Sequence, residues 1–424
     1  MASAKPGTRV LILGGGFGGV HTARSLRRHW KDASDNSITL ISKENYFLMT
    51  PLLFEAGSGV LEPRHAVTPI RRMFQGIQFA QATVQSIDID GRSVEAKLTH
   101  GEVRRFEFDH LVLALGGVTN TQIIPGADKA RTFKTLYDAI TLRNHCIRLF
   151  ERADAETDEK LKRALLTFVI VGGGLVGLEL QGELTEFIES IHQTYPRVDK
   201  KYIRFELIEG GPRLVPELDE DLGDYAAKTL AKRGVNVRLN TRVDSMGPST
   251  VRLPGGEEIE SHTIVLATGV VPNPLISTLP VEKDRKGRVA VEGTMRSRSH
   301  PNIWSLGDCA AIPDAQGKPY PPLAQHALRE ARLLGKNMAA VMRGAEPRPF
   351  IYSNKGTLAA LGRHKGIGRV YGIKIYGFVA WWVWRTYYLL QMPRFDRKLR
   401  IVIDWTVALF FKNDVVELDM TSRR

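Results

Sequence analysis

The sequence predicts an α/β protein with two Rossmann-type dinucleotide-binding domains and a C-terminal membrane-associating helical region. Three observations carry this prediction. A glycine-rich turn between an apolar strand and a helix occurs twice, and its two copies begin 158 positions apart, at Gly14 and Gly172, about one domain length. A basic, tryptophan-rich tail then follows. The expected boundaries are 1–120 with 270–342 for the first domain, 121–269 for the second and 343–424 for the tail.

Both glycine-rich turns have the spacing G-x-G-x-x-G. The first lies between a strand at 8–13 and a helix at 20–30, the second between a strand at 165–171 and a helix at 178–192. Glycine allows the tight turn and lets the backbone approach a pyrophosphate at the helix N-terminus. One copy alone could be a structural turn, but two copies in this context predict two bound dinucleotides. The binding residues expected from the turns are Gly14, Gly15, Gly16, Phe17, Gly18, Gly19, Gly172, Gly173, Gly174, Leu175, Val176 and Gly177.

The residue that ends the second strand of such a domain usually binds the ribose hydroxyls. In the second domain this residue is Glu209, whose charge favours NADH because it would repel the 2′-phosphate of NADPH. It lies 37 positions after Gly172, so the helix between them should be extended, and the nearby Arg213 keeps NADPH open. The first domain has Ser42 and Lys43 instead of the usual acid, and these must make the contact differently.

Strand-like runs at 111–115 and 263–268 each end in glycine, at Gly116 and Gly269. Each run fits the strand that closes a nucleotide-binding unit. Both glycines, and Val84 in the first domain, are therefore included among the cofactor-binding residues. The polar segment 151–162 is expected to be a solvated helix or a linker.

Composition limits the class of protein. Hydrophobic content of 43% and charged content of 25% fit an ordinary folded chain. Cys146 and Cys309 are too far apart to suggest a disulfide framework or a metal site, and they fit a reducing compartment. We expect no metal. The first residues lack the apolar core of a secretory signal, and no apolar run is long enough to span a bilayer.

A strand at 303–306 that ends in Gly307 and Asp308 resembles the FAD-ribityl motif of the two-dinucleotide flavin oxidoreductases. A Gly-Asp turn alone is usually only a turn, but here it follows two dinucleotide motifs. The resemblance implies that Asp308 holds the ribitol and that the N-terminus of a helix faces the flavin. FAD is thus expected in the first domain and NADH in the second.

Nearly the whole chain resembles the type II NADH dehydrogenases, which are single-chain NADH:quinone oxidoreductases. The similar stretches lie at 45–53, 177–184, 324–327 and 355–359 and in the tail. Departures are Ser42 and the turn 115–117, where an Ala-Thr-Gly-like sequence is common. Since the cysteines have no partners, the chain lacks the thiol relay of disulfide reductases. The resemblance implies hydride transfer from NADH to FAD and electron transfer to ubiquinone or menaquinone, without proton pumping.

The same resemblance implies roles for individual residues. Thr50 and Pro51 would border the flavin ring, and Ala324 and Gln325 would contact the cofactor. Gln325 would also lie beside the quinone, and Glu179 would lie near the nicotinamide and quinone pockets and deliver protons. We take Glu179 and Gln325 as the catalytic residues. The structural alternatives are a first-turn carboxylate stabilised by the helix dipole and an ordinary helix-start residue.

The tail carries most of the net charge of +13, with twelve Lys or Arg against two acids between 343 and 400. Two apolar segments, 377–392 and 396–411, alternate with these charges. Each is too short to cross a bilayer as a helix, but the pattern is typical of helices that lie in a membrane interface. A packed helix pair or a homodimer contact stays an alternative. Nucleic-acid binding is not expected, because the aromatic side chains cluster with aliphatic ones.

These observations together predict a peripheral enzyme on the cytoplasmic face of the cell inner membrane that uses FAD and NADH to reduce a quinone. The alternatives are an FAD-dependent NAD(P)H reductase of a protein or another small acceptor, and a redox-sensing or scaffold flavoprotein whose tail binds a partner and which has little turnover.

Overall fold

The structure, a computed structural model, describes residues 7–30, 37–412 and 414–417. The strands are β1 Arg9–Leu13, β2 Ser37–Ser42, β3 Tyr46–Leu48, β4 Val67–Pro69, β5 Gln78–Asp88, β6 Ser93–Leu98, β7 Val103–Glu107, β8 His110–Leu113, β9 Gly117–Thr119, β10 Arg131–Thr132, β11 Thr167–Val171, β12 Arg204–Ile208, β13 Val235–Arg238, β14 Ser245–Met246, β15 Thr250–Arg252, β16 Glu258–Glu260, β17 Thr263–Leu266, β18 Val270–Pro272, β19 Val289–Ala290, β20 Ile303–Ser305, β21 Ala310–Ala311, β22 Gly356–Ala360, β23 Gly366–Val370 and β24 Ile373–Tyr376. The α-helices are α1 Phe17–His29, α2 Leu53–Ser58, α3 Leu136–Ala155, α4 Glu159–Leu165, α5 Leu175–His192, α6 Glu220–Ala231, α7 Ala324–Val341, α8 Gly377–Gln391 and α9 Phe395–Phe410.

One compact unit contains the described residues of 7–48, 67–118 and 270–353. Its main sheet has the order β20-β8-β1-β2-β5-β6-β7, and the pairs from β20 to β5 are parallel. A parallel connection needs a crossover, which α1 provides between β1 and β2. Helix α1 also packs closely against α7 at Gly335. A Cβ on this glycine would lie only 2.5 Å from the backbone nitrogen of Leu26, so the close approach needs glycine.

The other unit contains the described residues of 49–66, 119–269 and 354–417. Its main sheet has the order β10-β17-β11-β12-β13, with every pair parallel, and α5 joins β11 to β12. Two smaller antiparallel sheets, β14-β15-β16 and β22-β23-β24, belong to the same unit. Helix α8 packs on the second of these, where a Cβ on Gly366 would come within 2.8 Å of the backbone nitrogen of Trp381.

The predicted fold of two Rossmann-type units with C-terminal helices is confirmed. Helices α1 and α5 begin three residues earlier than expected, inside the glycine motifs, because the glycines at their first turns permit helical packing against the strand. The polar segment 151–162 contains the end of α3 and the start of α4. Asp158 caps α4 by accepting a hydrogen bond from the backbone nitrogen of Lys160 at 2.8 Å.

An α-helix follows Gly307 and Asp308 in the chain, but not immediately. A short 3-10 turn, Gly307–Cys309, runs into β21 instead, and the next α-helix begins only at Ala324. The helix that contacts the turn is nevertheless α7, since the backbone nitrogen of Gly307 donates to the carboxylate of Glu330 at 2.9 Å. The helix that follows the motif thus meets the turn through a contact across 23 positions of the chain.

Candidate functional site

The two glycine-rich turns have the same geometry. Gly14 and Gly172 both have φ of +114°, a conformation that favours glycine. A Cβ on either would collide with a carbonyl of the closing strand's end, Ala114 or Ala267, and a Cβ on Gly19 or Gly177 would overlap the carbonyl oxygen of the first glycine of its own turn. The backbone therefore makes two equivalent narrow turns that only glycine can form.

The helices that follow these turns present free backbone donors. Within the described residues, no side chain caps α1 at Gly16 or α5 at Gly174, and neither helix has an acid in its first turn. By contrast, Thr135 and Asp138 form a capping box at α3. An uncapped helix N-terminus behind a glycine turn is an anion site, because the first N–H groups and the helix dipole point at the same place. Both turns therefore fit the pyrophosphate of a dinucleotide.

Glu209 directly follows β12 and is already held in place. One of its carboxylate oxygens accepts a hydrogen bond from the backbone nitrogen of Gly173 at 2.6 Å, and the other accepts one from Gly211 at 2.7 Å. Arg213 is the nearby cation that left NADPH as an alternative to NADH. Its guanidinium donates to the carbonyl oxygen of Pro216 at 3.1 Å. The extended connection after Gly172 consists of α5, with 18 residues, and the loop that precedes β12.

Ser42 occupies the equivalent place in the other unit. It ends β2 and is buried, and a Cβ on Gly15 would overlap its hydroxyl, as a Cβ on Gly173 would approach Glu209. Lys43 beside it is exposed and accepts a hydrogen bond from Gln81 through its carbonyl oxygen at 3.3 Å. Val84 lies half-buried in β5, at the irregularity in its pairing with β6. The position of the missing acid is thus filled by a short hydroxyl side chain.

The closing strands end in matching triplets, 114–116 and 267–269. Gly116 has φ of +64° and Gly269 has φ of +95°. The carbonyls of Ala114 and Ala267 occupy equivalent positions against the two glycine turns, so the triplets can be aligned residue by residue. Leu115 then lies at the position of Thr268, and it is the residue that departs from the Ala-Thr-Gly-like sequence. The departure at 115–117 therefore amounts to one side chain.

The turn at Gly307 and Asp308 lies over a buried carboxyl group. Gly307 has φ of +70°, and Glu330 of α7 accepts its N–H. Burial raises the pKa of Glu330 to about 7. Ala324 and Gln325 form the first turn of α7, where the carbonyl of Gln325 accepts from Arg329 at 2.7 Å. Glu330 is a residue that the sequence did not indicate; its only signal is an acid on the apolar face of α7.

Glu179 lies in the other unit, 8% exposed on α5. One of its oxygens accepts hydrogen bonds from the backbone nitrogen of Ala360 at 3.1 Å and from the indole nitrogen of Trp384 at 2.9 Å. Burial raises the pKa of Glu179 to about 8. Thr50 and Pro51, in the same unit, form a half-buried 3-10 turn that leads into α2. Glu179 therefore holds a proton near neutral pH.

Two further buried acids, Glu55 and Glu183, lie in the unit of Glu179, and the sequence did not indicate either one. Glu55 on α2 is 1% exposed, forms an ion pair with Arg385 at 2.8 Å and accepts from the indole nitrogen of Trp405 at 2.6 Å. Glu183 on α5 accepts from the hydroxyl of Ser58 at 2.9 Å. The guanidinium of Arg385 also stacks between the rings of Trp381 and Trp405. The tail thus supplies the cation for this acidic cluster.

Both cysteines are buried free thiols. Burial raises the pKa of Cys146 to about 12 and that of Cys309 to about 11, so neither is a reactive thiolate at neutral pH. In the part of the chain that the structure describes, no three His, Cys, Asp or Glu side chains gather as metal ligands. None of its described helices combines the length and the apolar character needed to cross a membrane.

The tail helices expose large apolar side chains. On α8 the exposed set is Phe378, Val379, Trp382 and Leu390, and on α9 it is Phe395, Leu399, Val402, Ile403, Val407, Leu409 and Phe410. In α9 only Ile401 is buried, while Asp404 binds His65 at 2.5 Å. The apolar residues of α9 at helical spacing therefore face outward, while Asp404 binds the helix to the rest of its unit through His65.

The chain is similar to known proteins over nearly all of its length. Residues 8–331 match the pyridine nucleotide-disulphide oxidoreductase family. The probable NADH dehydrogenase of Dictyostelium discoideum is 32% identical over 96% of this chain and 90% of its own length. The type II NADH:quinone oxidoreductase of Mycobacterium tuberculosis is 30% identical over 94% and 88%. A solved structure of NDH2 from Plasmodium falciparum in complex with NADH has a TM-score of 0.89 at 20% identity, covers 97% of this chain and 100% of that one, and shows the same fold.

Proposed function

We propose a function from the premise that this chain belongs to the pyridine nucleotide-disulphide oxidoreductase family and, within it, to the type II NADH:quinone oxidoreductases. The protein is an FAD-dependent enzyme that transfers two electrons from NADH to a quinone and does not pump protons. The observation that carries this proposal is the pair of uncapped helix starts, each behind a turn that a single Cβ would block.

The residues present fit the two cofactors. FAD would be held by the turn 14–19 with Ser42, Lys43, Val84, Gly116, Gly307, Asp308 and Ala324, and NADH by the turn 172–177 with Glu209 and Gly269. The buried hydroxyl of Ser42 can bond a ribose oxygen without the charge of an acid. When bound, FAD supplies the redox chemistry by accepting hydride from NADH and returning two electrons to the quinone. The assignment of Thr50 and Pro51 remains a prediction from the resemblance.

The residues of the chain supply binding and protons. Reduction of one quinone by NADH takes up one proton from solution, since the products are NAD⁺ and the quinol. Glu179 holds a proton near neutral pH because of its burial, and we propose that it gives this proton to a quinone oxygen. We propose that Gln325 positions the quinone through its side-chain amide.

An anaerobic spectroscopic experiment tests this function. NADH should bleach the yellow colour of the purified protein, and a short-chain quinone should restore it within the time of a turnover. Bleaching that quinone does not reverse would indicate another acceptor, and protein without extractable FAD would exclude the proposal. Glu179→Gln should slow the quinone step about tenfold or more while leaving the NADH step within a factor of two.

We further propose that α8 and α9 attach the enzyme peripherally to an anionic membrane surface, on the cytoplasmic face of the cell inner membrane. Outward apolar side chains beside basic residues such as Lys398 and Arg400 support this, because such helices bury their apolar face at the headgroup boundary. The cytoplasmic leaflet adds attraction through its negative surface potential.

Sedimentation with anionic liposomes tests this attachment. The triple change of Val402, Ile403 and Phe410 to Ser should reduce bound protein at least tenfold, while Ile351→Ser, an exposed apolar residue outside these helices, should have no effect. If the triple variant still binds liposomes, the surface is wrong. If it loses only a dimer in sedimentation velocity, this face joins two copies of the chain.

A further inference from the structure

Glu183 lies one helical turn after Glu179 on α5. Residues four apart lie on one helix face, with about 6 Å between Cβ atoms. The side chain is 5% exposed and accepts a hydrogen bond from the hydroxyl of Ser58 at 2.9 Å. Burial, and then the nearby carboxylates of Glu186 and Glu55, raise the pKa of Glu183 and so favour its protonated form. The helix therefore holds two neighbouring buried carboxylic acids.

A small cavity opens beside Glu183, with Phe54, Phe133 and Phe187 in its walls. Arg143 also lines it and is 7% exposed, and its Nη1 has no hydrogen-bond partner among the described residues. The space suits about one water molecule, which needs two to four polar partners. The guanidinium nitrogen, the carboxyl group and the hydroxyl of Ser58 are such partners.

The charged groups around Glu183 come from several elements. Those that act on it or line its cavity are Glu55 on α2, Arg143 on α3, Glu186 on α5 and Arg385 on α8. Glu179 lies one helical turn away on α5. Arg385 forms its ion pair with Glu55 at 2.8 Å, and Glu186 forms one with Arg233 at 3.0 Å. The acids at 179 and 183 thus have no ion-pair partner of their own among the described residues, which keeps both neutral and able to donate.

We infer that Glu183 is a positioning residue for proton supply, which returns a proton to Glu179 and takes one from water in the cavity beside Arg143. The inference rests on the proposed quinone reduction. In each turnover the O–H bond of Glu179 breaks as one forms on the quinone oxygen. The O–H bond of Glu183 then breaks as that of Glu179 is restored, and a proton from solvent restores Glu183. No electrons move in these exchanges, and one proton is taken up.

The test compares Glu183→Gln with Glu189→Gln, an exposed acid on the same helix that serves as the matched control. The flavin-reduction step with NADH and the reoxidation step with a short-chain quinone are measured separately by stopped flow, in H₂O and D₂O, from pH 6 to 9.5. We expect Glu183→Gln to slow reoxidation about tenfold and to enlarge its solvent isotope effect, with flavin reduction unchanged. Glu189→Gln should behave like the unaltered protein.

Equal reoxidation rates and isotope effects in the two variants would overturn the inference, as would an equal loss in both steps. Failure of the unaltered protein to reduce quinone would instead reject the proposed function. If Glu183→Gln does not fold, Ser58→Ala provides the test. Removing the donor from Glu183 should move the alkaline limb of reoxidation upward by about half a pH unit, because the charged form loses a hydrogen bond. An unmoved limb would then reject the role.

Discussion

Glu209 offers the sharpest prediction, because one substitution should change the choice between NADH and NADPH. Its two carboxylate oxygens accept the N–H groups of Gly173 and Gly211. In Glu209→Ala the negative charge is lost and both N–H groups are freed towards the ligand. A 2′-phosphate would then meet two donors where it had met an anion, while NADH would lose the acceptor for its ribose hydroxyls.

The size of the effect follows from the two changes. A phosphate charge about 5 Å from a carboxylate, at an effective dielectric of about 20, is repelled by roughly 3 kcal/mol, and salt reduces this value. Loss of hydrogen bonds to a charged acceptor weakens NADH binding by about 1.5–3 kcal/mol. We therefore expect the ratio of kcat/KM for NADPH to that for NADH to rise about 100- to 1,000-fold.

Anaerobic stopped-flow reduction of the flavin with each nucleotide gives both kcat/KM values directly. Glu217→Ala is the matched control, since this exposed acid lies near the same turn, with its carboxylate 3.8 Å from the position of a Cβ on Gly174. The control should change the ratio less than about threefold, as expected for an exposed charge. A ratio in Glu209→Ala no larger than in the control would refute the assignment of Glu209 to the ribose.

Three further predictions concern other parts of the molecule. Gly19→Ala should yield protein with at least about tenfold less bound FAD by absorbance, because its Cβ would overlap the carbonyl of Gly14; full FAD content would contradict the turn's role. Burial raises the pKa of Glu179 above its unfolded value, so the unfolded chain releases this proton as pH rises above about 4.5 while the folded protein keeps it up to about 8. Stability therefore falls across this window, and Glu179→Gln should gain about 3–4 kcal/mol relative to the unaltered protein between pH 5 and 8 in denaturant unfolding. Arg385→Met should lower the free energy of unfolding by about 3 kcal/mol, because Glu55 is left buried without its cation. Arg394→Met removes an exposed ion pair and should lower it by less than about 1 kcal/mol. Equal losses of stability in thermal unfolding would show that the buried pair contributes no more than the exposed one.

The dinucleotide turns could be predicted from the sequence because their chemistry is local. A turn that only glycine can form needs glycine at fixed positions, and the neighbouring strand and helix have their own hydrophobic periods. The position of Glu209 after β12 could also be predicted, because a carboxylate directly after a buried strand lies at the sheet edge where the glycine-rich turn lies. Even the departure at Ser42 was visible, although its burial against Gly15 was not.

The buried acids Glu55, Glu183 and Glu330 could not be predicted, because their partners are far away in the chain. Glu55 meets Arg385 across 330 positions and Trp405 across 350. The periodicity of hydrophobic residues in the sequence predicts which positions are buried, but it does not predict which cation will neutralise an acid at such a position. The contact of Gly307 could not be predicted for the same reason, since Glu330, which accepts its N–H, lies 23 positions later.

The tail combines buried contacts within its own unit with an exposed apolar face. Its sequence left a packed helix pair and a membrane-facing helix as alternatives, yet α8 buries Trp384 against Glu179 while α9 exposes most of its apolar side chains. Deleting residues from 377 onward would therefore remove the donor to Glu179 and the cation of Glu55 along with the exposed face. Loss of liposome binding in such a truncation would not separate an unfolded unit from a detached one. Substitutions of outward side chains leave the acidic cluster intact, so the test of attachment depends on them.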